Sequence, residues 1–88
     1  FKWYSLAAEA GLTEAQFSLA KRYSKGLGID KDRVAALRWF SIAAELGNTS
    51  ASFKRDALAE KLSAAEVAEA DRLAGLWIEN NQALLASH

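Results

Sequence analysis

Catalysis needs side chains that hold protons, metals or nucleophilic lone pairs in usable groups, and the sequence supplies few. The single histidine is His88, the last residue, and there is no cysteine. A zinc or iron site would have to be built from carboxylates alone, and no cluster has that spacing. Ser–His–Asp chemistry needs a firmly held histidine, which a terminal residue does not provide. Glu66 and Glu69 stand one helical turn apart, as an acid–base pair would. Each has a structural use instead: Glu66 completes a capping box with Ser63, and Glu69 reaches Arg72 at i+3. The stretch Gly26–Leu27–Gly28 is too short to cradle a phosphate and follows a helical pattern, not a strand. Trp3, Trp39 and Trp77 have the spacing of core anchors, with ligand stacking as the alternative use. No catalytic, cofactor-binding or metal-ligating residue is assigned, and the chain is read as a non-enzyme.

The elements that would position any site follow from composition. Eleven basic and eleven acidic residues cancel, so no basic stripe recommends nucleic acid or an anionic membrane surface. No apolar run approaches the roughly 18 residues that a membrane span needs. Apolar residues make up 51% of the chain, alanine leads them, and proline is absent. That mixture, with Leu, Glu, Lys and Arg, favours helix throughout. One small all-α domain is expected. Without cysteine the redox compartment is open. The chain begins on Phe1 in mid-element, without an initiator Met or a signal segment, and reads as a piece of a longer protein.

The sequence also repeats itself. At an offset of 36, Lys2–Phe17 falls on Arg38–Phe53, with nine of sixteen positions identical. The identities are Trp3/Trp39, Ser5/Ser41, Ala7/Ala43, Ala8/Ala44, Glu9/Glu45, Gly11/Gly47, Thr13/Thr49, Ala15/Ala51 and Phe17/Phe53. A period in the mid-thirties marks helix pairs that bury their apolar faces only against neighbouring pairs.

Within that period the helices can be placed. A first helix runs from Thr13 or Glu14 to Lys25, with Ala15, Leu19 and Tyr23 on one face and Gly26 as its stop. In the connection, Gly28 gives freedom, Ile29 can plug the core and Asp30 is the expected N-cap, with Asp32 favouring the helix dipole. The second helix reaches about Leu46, buries Ala36, Trp39, Phe40 and Ala43, and closes at Gly47. A third is expected from Thr49 to Leu62, carrying Ala51, Phe53, Ala57, Leu58 and Leu62. Ser63 then caps a fourth over Ala64–Asn80, with Val67, Ala70, Ala74 and Trp77 inward and Gly75 assigned to close packing. The division is therefore 1–11, the second helix of a truncated repeat; 12–47, one full repeat; 48–82, a closing helix pair; and 83–88, a tail. The alanine pairs admit a neighbouring helix while the aromatics fill the space beside them.

The run "EAQFSLAKRYSKGLGIDKDRVAALRWFSIAAELG" resembles the Sel-one-like repeat family, relatives of the tetratricopeptide repeats. The resemblance lies in Ala-x-x-x-Leu-Ala-x-x-Tyr, the Gly-x-Gly-Ile loop, and Ala-x-x-Trp-Phe-x-x-Ala-Ala-Glu-x-Gly. It implies antiparallel helix pairs stacked in a right-handed α/α superhelix that docks a protein or peptide without catalysis. By analogy, the first helix of each pair lines the concave face. Glu14, Phe17, Lys21, Ser24 and Lys25 would then face a partner, followed by Ser50, Phe53 and Ala57. Phe17 and Phe53 carry two readings, an apolar step for a partner or packing between repeats. Arg55 and Asp56 replace the Leu19 and Ala20 of the full copy, as a terminal cap requires. The run "RDALAEKLSAAEVAEADRLAGLW" resembles the closing segments of bacterial repeat proteins of the envelope and cell pole, which favours the envelope. It also motivates peptidoglycan binding as an alternative function, with a purely structural cap as the third. The cut end at Phe1–Ala10 can stack on a second copy.

Overall fold

The computed structural model describes residues 2–26 and 32–82. They form five helices: α1 (Lys2–Glu9), α2 (Thr13–Lys25), α3 (Arg33–Glu45), α4 (Thr49–Ala59) and α5 (Ala64–Asn80). Gly28, Ile29 and Asp30, expected to shape the α2–α3 connection, lie outside the described residues, as does the 83–88 tail.

The repeated sequence produces a repeated helix stop. Gly11 and Gly47 have φ of 93° and 105°, which side-chain-bearing residues rarely adopt. At the first stop Gly11 N–H donates to the Ala8 carbonyl at 3.0 Å and Leu12 N–H to that of Ala7 at 3.1 Å. At the second, Gly47 donates to Ala44 at 3.1 Å and Asn48 to Ala43 at 2.9 Å. This double bond pattern is a Schellman motif, and it satisfies carbonyls that the helix end leaves open.

Helix starts are set by side chains. Asp32 caps α3, its carboxylate accepting from Ala35 N–H at 3.0 Å. The cap role expected of Asp30 therefore belongs to Asp32, whose extended backbone (φ −144°, ψ 100°) leaves its carboxylate free to turn back on the first turn. Asn48 caps α4 through Ala51 N–H at 2.9 Å. Ser63 and Glu66 form the expected reciprocal box at the start of α5, with bonds of 3.0 and 3.1 Å. α4 stops at Ala59, short of the expected Leu62. From there Lys61 and Leu62 donate to carbonyls three residues back, tightening the chain toward the Ser63 cap.

α3 is the centre. α2, α4 and α5 each pack against it, and α1 packs on α2. Ala36, Leu37, Trp39, Phe40, Ser41, Ile42 and Ala43 are all buried, because three helices surround α3. The small alanines let those neighbours approach, and Trp39 meets Trp77 of α5 edge-to-face at 5.8 Å. Trp77 also donates from Nε1 to the Glu9 carboxylate at 3.1 Å, tying α5 to the end of α1.

Three expectations about the core change. Trp3 is 65% exposed and no core anchor, since α1 buries Ala7 and Ala8 while Trp3 and Leu6 share an outward face. Phe53 and Ala57 are exposed on α4, which buries Ala51 and Leu58. Gly75 is not held by close packing: a Cβ built there meets nothing within 4 Å.

Candidate functional site

The space between α2 and α4 is a cleft of about 310 Å³, lined by Lys21, Ser24, Lys25, Phe40, Lys54, Ala57, Leu58 and Lys61. Its origin lies in the helix periods. On α4, Lys54, Ala57 and Leu58 recur at i, i+3 and i+4, and Lys61 follows from the turn just past the helix end. On α2, Lys21, Ser24 and Lys25 do the same at i, i+3 and i+4. Phe40 comes from α3 beneath both. The result is an apolar floor between two rows of ammonium groups.

The electrostatics are one-sided. Four lysines line the cleft and no carboxylate does. Among the described residues none of the four is in an ion pair; the pairs found are Arg55 with Asp56 and Arg72 with Glu69. Lys21 is the most constrained of them. Its Nζ lies 4.9 Å from the centroid of the Phe17 ring, and that ring packs edge-on against Phe40 at 5.7 Å. Cation–π contact places the ammonium beside the apolar floor without removing its charge.

Of the residues expected to face a partner, Lys21, Ser24, Lys25 and Ala57 line this cleft. Phe17 is half-buried and supports it through Phe40 and Lys21. Glu14 sits elsewhere, in a shallow recess with Trp3, Leu12, Thr13 and Ala15 at the α1–α2 junction. Ser50 is exposed and Phe53 is 74% exposed, both outside the cleft lining. Phe17 and Phe53 thus share a repeat position but not an environment. At the same offset the counterpart of Phe40 is Leu76, itself 41% exposed, so nothing closes over Phe53.

Sequence reading missed Lys54, Leu58, Lys61 and Phe40 as cleft residues. The i, i+4 and i+7 spacing of Lys54, Leu58 and Lys61 carried the signal for three of them. It also missed Gln16, fully buried, whose amide donates to the Ala8 carbonyl at 3.1 Å and bridges α2 to α1. Nothing in the residue type announces such a bridge. Of the three tryptophans, Trp39 and Trp77 are buried and present no ring to a sugar. Among the described residues no group of three or more His, Cys, Asp or Glu could hold a metal ion, and no helix is long and apolar enough to cross a membrane.

The repeated stops, the alanine joints and the α3-centred packing define an SLR-type helical repeat. Residues 1–12 and 13–48 match the Sel1 repeat, and the chain belongs to that family. Its repeats are in general protein-interaction modules, typically non-catalytic. The chain is similar to the crystal structure of c5321, a protective antigen present in uropathogenic Escherichia coli strains and displaying an SLR fold. The two share 36% sequence identity and superpose with a TM-score of 0.85, over 88% of this chain and 17% of that one. The chain therefore spans 17% of that protein's length. No curated protein matches it.

Proposed function

We propose that this chain is a docking module within a larger bacterial scaffold or regulatory protein, and that it holds an acidic protein segment along the α2–α4 cleft. One observation carries the reading: four lysines with no ion-pair partner among the described residues flank an apolar floor. Carboxylates of the segment meet Lys21, Lys25, Lys54 and Lys61, while an apolar side chain between them rests on Phe40 and Leu58. Ammonium groups act as flexible point charges, which suits a family of acidic segments better than one fixed geometry. Phe17 acts from below by holding Lys21 and Phe40 in place.

A displayed library of random peptides tests this. Selection on the protein is expected to enrich peptides with two or more acidic residues around an apolar one. Their binding should weaken steeply with added salt, as exposed charge pairs do. Lys21→Glu with Lys54→Glu should abolish it in a protein that still shows full helical circular dichroism. Peptides without acidic enrichment, or equal binding to the folded double variant, overturn the proposal.

A further inference from the structure

The chain has no net charge, yet its charges are sorted onto different flanks of α4. Toward α2 stand the four lysines of the basic cleft. Toward α5 lies a second cleft of about 780 Å³, lined by three carboxylates, Glu45, Asp71 and Glu79, and one guanidinium, Arg55. That guanidinium is engaged on its own helix, donating to Asp56 at 3.1 Å and to the Ser52 hydroxyl at 3.3 Å. One molecule therefore carries both halves of a complementary pair, with α4 standing between them.

The outward edge of α5 has the form of the segment proposed for the basic cleft. Asp71, Gly75 and Glu79 recur at i, i+4 and i+8, so they share one face, and all three are exposed. Leu76, 41% exposed, stands beside Gly75 between the two acids. Glu69 and Arg72 of the same helix cancel each other through bonds of 2.6 and 3.1 Å. Asp71 and Glu79 are in no ion pair among the described residues. At about 1.5 Å per residue, Asp71 and Glu79 lie about 12 Å apart along the helix, against about 10 Å for Lys54 and Lys61. Nothing inside the molecule requires Gly75: a Cβ built there meets nothing within 4 Å, and glycine is a poor helix former. A bare backbone between two acids lets the walls of another copy's cleft close on this edge.

We infer that a second copy of this chain docks here, the Asp71–Glu79 edge of its α5 lying in the α2–α4 cleft of the first. The inference rests on the reading of that cleft as a holder of acidic segments. Asp71 and Glu79 of the second copy meet the lysine rows, Leu76 rests against Ala57 and Leu58, and Gly75 takes the close approach. Cleft and edge are different surfaces, so the contact is heterologous. Each docked pair keeps one free cleft and one free edge, and copies add in line. A single helix edge buries less than the roughly 1,200 Å² of a stable interface, so the association is weak and reversible.

Sedimentation velocity on the 88-residue protein tests this. The weight-average sedimentation coefficient is expected to climb from about 10 μM to about 1 mM protein, and to fall back to the monomer value in about 0.5 M salt. Lys21→Gln with Lys54→Gln, and separately Asp71→Asn with Glu79→Gln, should each weaken self-association by about tenfold or more, the factor for losing two exposed charge pairs. Mixed in equal amounts, these two variants should form a one-to-one dimer and nothing larger, because one intact edge meets one intact cleft. Gly75→Phe should block the close approach and abolish association while the helical circular dichroism is retained. A protein that stays monomeric yet binds library-selected acidic peptides overturns this inference alone. One that stays monomeric and binds no such peptide overturns the cleft reading with it. Self-association unchanged in any of the folded variants, or no dimer in the mixture, also overturns the inference.

Discussion

The two helix pairs of this molecule, α2–α3 and α4–α5, are written from related sequence and finish differently. In the first, α2 and α3 close on one another. In the second, α4 and α5 both lean on α3 and barely meet. Phe17 and Phe53 record the difference, one seated on Phe40 under Lys21, the other 74% exposed. A solenoid position therefore fixes where a side chain stands, while burial is conferred by whichever helix lies opposite. The open second pair is also what leaves a cleft on either side of α4, one basic and one acidic.

The largest expected effect lies where both pairs meet. Trp39→Ala removes a buried ring that touches α5 through Trp77, and should destabilise by about 3–5 kcal/mol in urea titrations. A loss below about 1 kcal/mol would mean that the pairs do not share α3 as their support. Next comes the comparison itself. Phe17→Ala should cost about 1–2 kcal/mol and Phe53→Ala less than about 0.5 kcal/mol. Equal losses would show that α5 closes over Phe53 in solution. The glycines give a smaller contrast of opposite sign. Gly75→Ala should stabilise by about 0.5–1 kcal/mol, since helix propensity improves and there is room for the methyl. Gly47→Ala should destabilise, because φ of 105° strains any side-chain-bearing residue even though its surroundings are empty.

The smallest effect is acid sensitivity at the start of α5. The Ser63 backbone N–H, then its side chain, holds the Glu66 carboxyl below its ordinary value. A carboxyl with a lowered folded pKa stabilises above its unfolded pKa and loses that contribution as pH falls through the folded one. Glu66→Gln should therefore flatten a slight decline in thermal midpoint at acid pH and leave neutral pH nearly unchanged. A decline as steep as in the parent protein would place its origin elsewhere.

What could be read from the sequence was local. Ser63 with Glu66, Gly26 and Gly47 each act within a few residues, so their letters suffice. The burial of Ala36, Trp39, Phe40 and Ala43 was legible because helical period alone selects that stripe. The fate of Phe53 was not, since its identity to Phe17 says nothing about whether α5 reaches it. Gln16 was equally hidden, because only the approach of α1 brings the Ala8 carbonyl within its reach. In the basic cleft, Lys21, Ser24 and Lys25 stand on the helix face to which the family resemblance points. The Lys54–Lys61 half is written in plain period, but the same period serves equally well for a solvated capping face, so the letters alone do not select a cleft.

The account's central claim is that a partner segment lies between α2 and α4. A spin label on a library-selected acidic peptide measures this directly through paramagnetic broadening of amide signals. The amides of Lys21, Ser24, Ala57 and Lys61 should broaden, and those of Asp71, Gly75 and Glu79 should keep their intensity. Broadening confined to α5, or spread evenly over all five helices, would contradict it.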